Sequence, residues 1–353
     1  MQPRLCILLP THNRSDTLEW ALRSIARQTE SNFEVLICGD GCTDGTADLA
    51  REWAEKDPRF LWFDLPKMPG FGYANRNQLM RHAKGEFMGY MAHDDLVFDD
   101  HFSKMLEPFA DPNIQLVASR PLWVDNAGVI LPMANNLESS AVLQCLIEGH
   151  HYLPSACYMH RRSAFIDVGW WNENLPNAAD LDYWRRIALH YGATSVRYLT
   201  TPGVLHFRAQ WKTNAHPDPH QLTGWADLLT KPGGIPDDLR SNIRADELPQ
   251  AHIGERLMDD QGNAWQARIR HAADLALDSY AFTLTQFSRK SQNQLKRLTA
   301  SNAKLEIKKT QLKTGIAALQ AKLAKIARKN DDLVKKTSPS LRTRWFQWFS
   351  AKK

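Results

Sequence analysis

The sequence has no long apolar segment. Nowhere in its 353 residues does an apolar run approach the roughly 20 residues that a membrane-spanning helix needs. The first apolar segment, Leu5 to Pro10, is too short for the core of a signal peptide and leads directly into polar residues. We therefore expect neither a spanning helix nor a cleaved leader.

Cysteine is also scarce. The chain has 5 cysteines, an odd number, and no two of them have CxxC spacing. This pattern is typical of reduced, mostly buried thiols, and it favours a cytoplasmic protein over a secreted one.

Acidic residues are almost absent from the C-terminal part of the chain. Residues 289–353 contain 18 Lys and Arg against 3 Asp and Glu, whereas the rest of the chain has more acidic than basic residues. Such an acidic body with a basic tail favours an anionic partner surface, either nucleic acid or membrane. Because no nucleic-acid recognition module accompanies the charge, membrane is the favoured partner and no nucleic acid is expected.

Strands and helices alternate in the first 55 residues. Apolar runs over residues 5–9 and 33–38 predict strands buried on both faces, and helical periodicity follows each run. This order predicts right-handed βαβ units and a parallel sheet. Gly41 and Gly45 do not have GxGxxG spacing, which disfavours a dinucleotide-binding fold.

Two adjacent carboxylates follow another short apolar run. Residues 87–91 predict a buried strand, and Asp94 and Asp95 come directly after it. Open α/β sheets bind ligands at this end of their strands. Oxygen donors there suit Mg²⁺ or Mn²⁺, which can in turn hold a diphosphate. The alternative is an ordinary solvated turn.

Asp40 and Arg76 are two further candidates for ligand contacts. Asp40 ends the second predicted strand, where a carboxylate can accept hydrogen bonds from a base or ribose, or cap the following turn. Arg76 lies near a predicted helix N-terminus and could meet phosphate oxygens, although an ordinary surface arginine would have the same local sequence.

Five segments carry a family resemblance because they occur in one order at compatible spacing. Over about Leu5 to Trp211, the chain resembles the inverting GT-A glycosyltransferases of family 2. The segments are LLPTHNR, SIARQT, FEVLICGDGCTDGT, ANRNQLMRHAKGEF and HDD.

The resemblance implies an α/β fold, with a GT-A, Rossmann-like and mostly parallel sheet flanked by helices. The residue pattern beyond the resemblance predicts a C-terminal helical and coiled-coil region. The expected parts are a nucleotide-sugar-binding half (1–100), an acceptor-binding half (101–235), a helical linker (236–288), a coiled coil (289–336) and an amphipathic tail (337–353).

The resemblance also implies roles for single residues. Thr11 would lie beside the base, Asp40 would bind uracil or ribose, and Asp94 would contact ribose or sugar. Asp95 would ligate Mn²⁺ or Mg²⁺ on the diphosphate, with His206 as a further candidate ligand. The full set of expected nucleotide-sugar contacts is Pro10, Thr11, Asn13, Asp40, Arg76, Asn77, Asp94 and Arg208.

Asp180 is the candidate catalytic base. The segment Ala178–Arg186 resembles the family's acidic helix start, and Asp180 occupies the position of the base. A sugar hydroxyl is a poor nucleophile until a carboxylate accepts its proton, and a helix N-terminus would keep Asp180 ionised. The alternatives are a simple helix cap at Asp180, or Asp182 as the base.

Two departures from the family pattern matter. Gly39 and Ala92 stand where many members have an aspartate. Asp94 and Asp95 remain, so metal binding is still expected, whereas the identity of the nucleotide base is less well defined. No QxxRW motif occurs, which disfavours the processive synthase subgroup.

A heptad pattern follows residue 289. Apolar residues alternate in steps of three and four over almost six heptads, which predicts a coiled coil. Asn302 and Asn330 occupy equivalent a positions, where a buried Asn favours a parallel dimer. The alternative is a single amphipathic helix packed on the body. The seam comprises Leu295, Leu298, Asn302, Leu305, Lys309, Leu312, Ile316, Leu319, Leu323, Ile326, Asn330 and Leu333.

The last residues predict a short amphipathic helix. Leu341, Trp345, Trp348 and Phe349 fall on one face, with basic residues around them. Such a helix is typical of an interfacial membrane anchor, and oligomerisation would strengthen it by avidity. The alternative is a frayed basic terminus.

Taken together, the sequence predicts an inverting, metal-dependent glycosyltransferase that moves a sugar from a nucleotide-sugar, a UDP-sugar in the first instance, to a hydroxyl of a glycan or lipid-linked acceptor in cell-surface polysaccharide synthesis. We expect a homo-oligomer, a parallel dimer or trimer, peripheral on the inner face of the cell membrane. The alternatives are a sugar nucleotidyltransferase and a non-catalytic coiled-coil scaffold.

Overall fold

The computed structural model describes residues 2–126, 128–150, 153–207 and 235–336, together with Arg344 and Gln347. The chain divides into two compact units, the first ending at Tyr280 and the second beginning at Ala281. The expected donor contact Arg208 and nearly all of the expected membrane helix at 337–353 lie outside the described residues.

Strands and helices alternate through the first unit. The strands are β1 (Leu5–Thr11), β2 (Phe33–Asp40), β3 (Phe60–Leu65), β4 (Phe87–Tyr90), β5 (Leu96–Val97), β6 (Leu116–Val124), β7 (Ile130–Pro132), β8 (Tyr158–Arg161) and β9 (Val196–Phe207). The helices are α1 (Ser15–Ala26), α2 (Thr46–Lys56), α3 (Tyr73–Met80), α4 (His101–Leu106), α5 (Ser140–Ile147), α6 (Ala164–Val168), α7 (Ala179–Tyr191), α8 (Pro249–Met258) and α9 (Gly262–Lys336).

The strands form one mixed sheet in the order β3-β2-β1-β4-β8-β6-β9-β5, with β7 paired to β6. The first four strands of this order are parallel. Strand β8 runs antiparallel to both β4 and β6, so β8 begins where β4 ends. The predicted α/β sheet with flanking helices and a C-terminal helical region is confirmed, and its second half is mixed rather than parallel.

The core lies around the central strands. Leu5 to Leu9 of β1 are completely buried, as the continuous apolar run predicted for a strand covered on both faces. Each such side chain contributes about 1.5–3 kcal/mol when it leaves water. A second apolar cluster joins the far strands to the start of α9, where Trp265 and Ile269 are buried.

Two elements of the first unit are irregular. Strand β6 is one strand with an irregularity between Ser119 and Pro121, because proline has no N–H for the ladder. Helix α4 ends at Leu106, and a 3₁₀ turn follows at Glu107–Ala110.

The segment around His206 belongs to the sheet. Residues 204–207 lie within β9, parallel to β6 and antiparallel to β5. Leu205 of β9 pairs with Leu96 of β5. Because Asp95 directly precedes Leu96, this pairing brings His206 to the end of the predicted metal strand.

The cysteines are free thiols. Cys6, Cys38 and Cys157 are buried, Cys42 is partly buried and Cys145 is exposed. Burial raises the pKa of the Cys6 and Cys157 thiols well above the usual value, so both stay protonated at neutral pH. Of the helices that the structure describes, none is both long and apolar enough to cross a bilayer.

Candidate active site

The carboxyl ends of the parallel strands bring the predicted site residues to one edge of the sheet. Thr11 at the end of β1 is in register with Gly39 of β2, so Thr11 and Asp40 lie close together. Asp94 and Asp95 follow β4, the other neighbour of β1. Ligands bind at this edge in open α/β sheets.

Asp95 and His206 form a buried pair. Asp95 Oδ1 lies 2.8 Å from His206 Nδ1 and 3.3 Å from the backbone N of Phe207. Asp95 is completely buried and His206 is 6% exposed. The residues are far apart in sequence, and the β5–β9 ladder brings them together.

The second carboxylate oxygen of Asp95 is the open position of this pair. Asp95 Oδ2 is buried and has no hydrogen-bond partner among the described residues. Leaving a buried carboxylate oxygen unpaired is costly, so such an atom indicates a missing ligand. Within the described residues, no group of three or more His, Cys, Asp or Glu could hold a metal by itself. Asp95 and His206 can thus supply only part of a metal's coordination shell.

Asp94 has a different environment from its neighbour. Its side chain is partly exposed, and its backbone carbonyl accepts a hydrogen bond from Gln250 Nε2 at 3.3 Å. Gln250 belongs to α8, which therefore helps to position the turn that carries both carboxylates.

Asp40 is held by three donors. Its carboxylate accepts hydrogen bonds from Lys67 Nζ at 2.6 Å, the backbone N of Met68 at 2.9 Å and Asn75 Nδ2 at 2.8 Å. Gly72, with φ +70°, closes the loop on this carboxylate, since a Cβ there would lie 2.7 Å from Asp40 Oδ2. Through these contacts Asp40 holds the segment of residues 66–75 in place.

The loop after β1 contributes further polar groups. The Thr11 side chain is 2% exposed, and its hydroxyl has no partner among the described residues. Asn13 bonds Thr43 through both ends of its amide, at 2.7 Å to the backbone N and 3.1 Å to Oγ1. The carbonyl of Pro10 lies 3.2 Å from His93 Nδ1.

Arg76 lies beside two aromatic rings. Its guanidinium carbon is 5.3 Å from the ring centre of Tyr73 and 5.4 Å from that of Trp171. Burial lowers the pKa of Arg76, and the nearby charge of Asp180 opposes this shift. Arg76 Nε is buried without a partner, and no ion pair within 4 Å involves Arg76 in the described part of the chain. Its positive charge is thus available to an anionic ligand.

Asp180 lies in the first turn of α7. Its Oδ2 accepts a hydrogen bond of 2.7 Å from Ser155 Oγ, and its Oδ1 lies 2.9 Å from the backbone N of Leu181. Asp182, the second candidate base, instead pairs with Arg186 at 2.9 Å. Since Ser155 precedes β8, which begins where β4 ends, Asp180 lies at the same edge as Asp95.

Asn77 joins α3 to the segment before α7. Its Oδ1 accepts from the backbone N of Trp171, and its Nδ2 donates to Trp171 O and to Glu173 Oε1, both at 2.8 Å. These bonds use both ends of the amide. Asn77 therefore holds Trp171 against Arg76 in this state.

Several residues around the site carried no signal in the sequence. Lys67, Asn75 and Ser155 act through side-chain contacts across loops, and no spacing rule predicts such contacts. Only the aromatic character of Tyr73 and Trp171, next to a predicted ligand-binding arginine, could have suggested their stacking.

A comparison with protein families matches the part of the chain that contains this site. The model described as "Glycosyl transferase family 2" matches residues 6–169, slightly less than half of the chain. This part of the chain is similar to family 2 glycosyltransferases. The match includes β2, nearly all of β1, and β4 with the two carboxylates that follow it, so three of the expected site elements lie inside it.

Curated relatives are distant. This chain is 26% identical over 215 residues to "Putative glycosyltransferase EpsH" of Bacillus subtilis, covering 58% of this chain and 61% of that protein. It is 24% identical over 227 residues to "Poly-beta-1,6-N-acetyl-D-glucosamine synthase" of Staphylococcus aureus, covering 60% and 54%. The chain therefore spans less than two thirds of the length of these relatives.

Solved structures with a similar chain path are also distant in sequence. The S. aureus TarS 1-349 structure is 17% identical with a TM-score of 0.47, covering 81% of this chain and 92% of that one. "Mannosyltransferase PcManGT from Pyrobaculum calidifontis in complex with GDP-Man and Mn2+" is 18% identical with a TM-score of 0.44, covering 80% and 87%.

Proposed function

We propose that this chain is an inverting, metal-dependent glycosyltransferase that moves a sugar from a UDP-sugar to a hydroxyl of a glycan or lipid-linked acceptor. The observation that carries the proposal is the buried Asp95–His206 pair, which leaves one carboxylate oxygen open at the edge where Asp180 lies. The pair and the base are the two parts that such a transfer needs.

The residues at this edge fit a divalent cation. Asp95 Oδ2 is an unpaired hard oxygen donor, and His206 lies beside it. Mg²⁺ and Mn²⁺ are usually held by one or two protein groups, with substrate phosphates and water completing the shell. Asp95 and His206 would hold the ion, which when bound neutralises charge on the departing diphosphate.

Asp180 acts on the acceptor. Its ionised carboxylate takes the proton of the acceptor hydroxyl while the hydroxyl oxygen forms a bond to the anomeric carbon. The bond between that carbon and the diphosphate oxygen breaks on the opposite face, so the configuration inverts. Ser155 and the backbone N of Leu181 each use one lone pair of Asp180, which fixes its orientation and leaves others for the proton.

Arg76 acts on the donor. Its guanidinium packs beside the rings of Tyr73 and Trp171 and lies near Asp180, in the region where donor and acceptor would meet. Its planar donors can bond a phosphate or a sugar oxygen in two places. We therefore assign Arg76 to the charged part of the nucleotide-sugar, while Asp40, Asp94 and the β1 loop lie where nucleoside and sugar would bind.

The product class and the location of the reaction are inferred from one relative and from the C-terminal region. The name of one relative describes a polysaccharide synthase, and this supports surface polysaccharide as the product class. The basic C-terminal region would hold the enzyme on the inner face of an anionic membrane, where a lipid-linked acceptor is present. We also propose that the heptad seam joins copies of the chain in parallel, as a dimer or trimer.

Thermal stabilisation by nucleotides tests this proposal. UDP, GDP, dTDP and CDP are compared with and without Mn²⁺ on the wild type, Asp95→Ala and Asp180→Asn. We expect a Mn²⁺-dependent shift with UDP of about 2.7 kcal/mol at a hundredfold excess over Kd. Asp95→Ala should lose the shift, whereas Asp180→Asn should keep it and lose transfer.

Other outcomes would redirect the proposal. A Mn²⁺-dependent shift with another nucleotide would replace the donor while keeping the metal site. Equal loss of nucleotide binding and transfer in Asp180→Asn would remove Asp180 from the role of base. If no nucleotide stabilises the protein, the glycosyltransferase fold does not bind a donor. The assembly role of the coiled coil would then become the leading function.

A further inference from the structure

The second unit presents an apolar seam whose side chains are exposed in the described part of the chain. The nine Leu and Ile side chains of the seam defined above are each between 54% and 67% exposed, although they lie on one continuous helix. Leaving nine large apolar side chains more than half exposed to water is unfavourable in proportion to the exposed area. The alternation of three and four residues is the pattern that a second, identical helix covers.

The residues that flank the seam are almost all neutral or basic. The a positions are residues 295, 302, 309, 316, 323 and 330, which defines the e and g positions that lie beside a partner helix. Only Glu306 is acidic among them. The e residues are Thr299, Glu306, Lys313, Gln320 and Ala327, and the g residues are Ser301, Lys308, Gly315, Lys322 and Lys329.

One stretch of this surface opposes pairing. In a parallel pair, a g residue lies beside the e residue of the partner's next heptad, so Lys308 meets Lys313 of the partner subunit. Lys309 occupies an a position and meets its own copy. We call Lys308, Lys309 and Lys313 the lysine band. A pair of helices brings six positive charges together there, where most coiled coils have salt bridges.

The nearby acid does not neutralise the band. Glu306 lies 2.8 Å from Lys309 Nζ of its own chain, but both side chains are well exposed, at 68% and 58%. Such an exposed pair contributes little. Across the parallel pair, the g neighbour of Glu306 is Ser301 of the partner subunit, so Glu306 does not reach the lysines of the other chain.

We propose that two copies of this chain pair in parallel along the seam and that pairing is coupled to phosphate anions of a phospholipid surface bound at the lysine band. This inference rests on the dimer proposed above. Without the anions, repulsion at the band opposes the apolar seam. With them, the seam closes, so the enzyme assembles where an anionic membrane is present.

The direction in which salt changes the dimer Kd tests this proposal. Coiled coils held by opposite charges at e and g weaken as salt screens the attraction, whereas screening of like charges strengthens pairing. Sedimentation equilibrium of the full chain at about 10 mM and about 300 mM NaCl should therefore show a lower dimer Kd at high salt. At constant ionic strength, vesicles containing phosphatidylglycerol should increase cross-linked dimer, and phosphatidylcholine vesicles should not.

A matched pair of variants isolates the band. Lys308→Glu places a carboxylate beside Lys313 of the partner subunit, whereas Lys322→Glu makes the same change at a g position that faces Ala327. We expect Lys308→Glu to lower the dimer Kd at low salt by about tenfold and to abolish the effect of salt. Lys322→Glu should change the Kd by less than about threefold.

Each contrary result has a distinct meaning. A wild-type dimer that weakens with salt, or equal effects of the two variants, would overturn the coupling. Dimerisation by millimolar inorganic phosphate at constant ionic strength, without vesicles, would overturn the membrane as the source of the anion. A monomer under every condition, including Lys308→Glu, would overturn the dimer itself. The nucleotide measurements above do not depend on any of these outcomes.

Discussion

Ser155 donates a hydrogen bond of 2.7 Å to Oδ2 of Asp180, although the two residues come from segments on either side of β8 and α6. The bond holds the carboxylate of the proposed base at the first turn of α7. A general base must keep its oxygen within reach of the acceptor hydroxyl, so the orientation of the carboxylate matters as much as its charge. Ser155 is therefore a positioning residue in this scheme.

Replacing Ser155 by alanine should lower kcat about tenfold while leaving the KM for the nucleotide-sugar unchanged, because the bond orients the base and does not contact the donor. Steady-state kinetics with the donor varied at fixed acceptor measure the two constants. Ser155→Thr keeps the hydroxyl and should retain most of the wild-type kcat. Equal loss in both variants would mean that the side chain matters for packing alone.

Arg76 offers a second test, with Arg81 as its control. Arg76→Lys should weaken donor binding about tenfold, because a lysine ammonium does not present a planar group to the neighbouring rings and does not bond an anion in two places. Arg81 lies over the Trp170 ring at 5.3 Å but belongs to the exposed end of α3, away from the strand ends. Arg81→Lys should leave donor affinity unchanged, as measured by calorimetry. Similar losses in both variants would place the effect in the fold rather than in the site.

How far sequence alone predicts this protein depends on the range of the interaction. The buried runs of β1 and β2 and the carboxylates after β4 were predictable because strand burial and strand ends are local properties. The family resemblance implied Asp95 and His206 as candidate ligands of one metal, but their direct contact was not predicted, since it depends on the ladder between β5 and β9. Ser155 and Lys67 could not be predicted, because their contacts depend on how two loops meet in space.

Two buried histidines should make stability depend on pH. Burial lowers the pKa of His101 and of His160 to about 4. In the unfolded chain both titrate near about 6.5, so between these values the unfolded state binds protons that the folded state does not. The free energy of unfolding should therefore be highest above about pH 6.5 and fall as the pH decreases toward about 4. Each histidine contributes up to about 3 kcal/mol.

Urea titrations between pH 4 and pH 7 measure this slope. His160→Gln should reduce the slope by about half, because one of the two groups no longer titrates. The exposed His82 provides the control, since His82→Gln makes the same chemical change on the surface. A slope that is equal in the wild type and His160→Gln would show that carboxylates rather than histidines cause the loss of stability at acid pH.

The last prediction concerns the packing around Gly39, which is one of the two departures from the family pattern. Many family members resembling this chain have an aspartate where Gly39 stands, and here a Cβ at that position would lie 2.3 Å from Cη2 of Trp62. Trp62 belongs to the neighbouring strand β3. Gly39→Asp should therefore destabilise the protein by about 1–3 kcal/mol through overpacking. Equilibrium unfolding in urea measures the loss.

A double-mutant cycle tests whether the Trp62 ring, rather than the backbone, causes the loss of stability in Gly39→Asp. In a Trp62→Ala background, Gly39→Asp should cost clearly less than in the wild type, giving a coupling energy of about 1 kcal/mol or more. Gly45→Asp is the control, since a Cβ there meets Ser15 at an ordinary 3.7 Å. If the cost of Gly39→Asp is the same with and without the ring, the indole does not exclude the second carboxylate. The glycine would then have to be explained by the ligand that binds at Asp40, and the nucleotide preference of Gly39→Asp would be the quantity to measure.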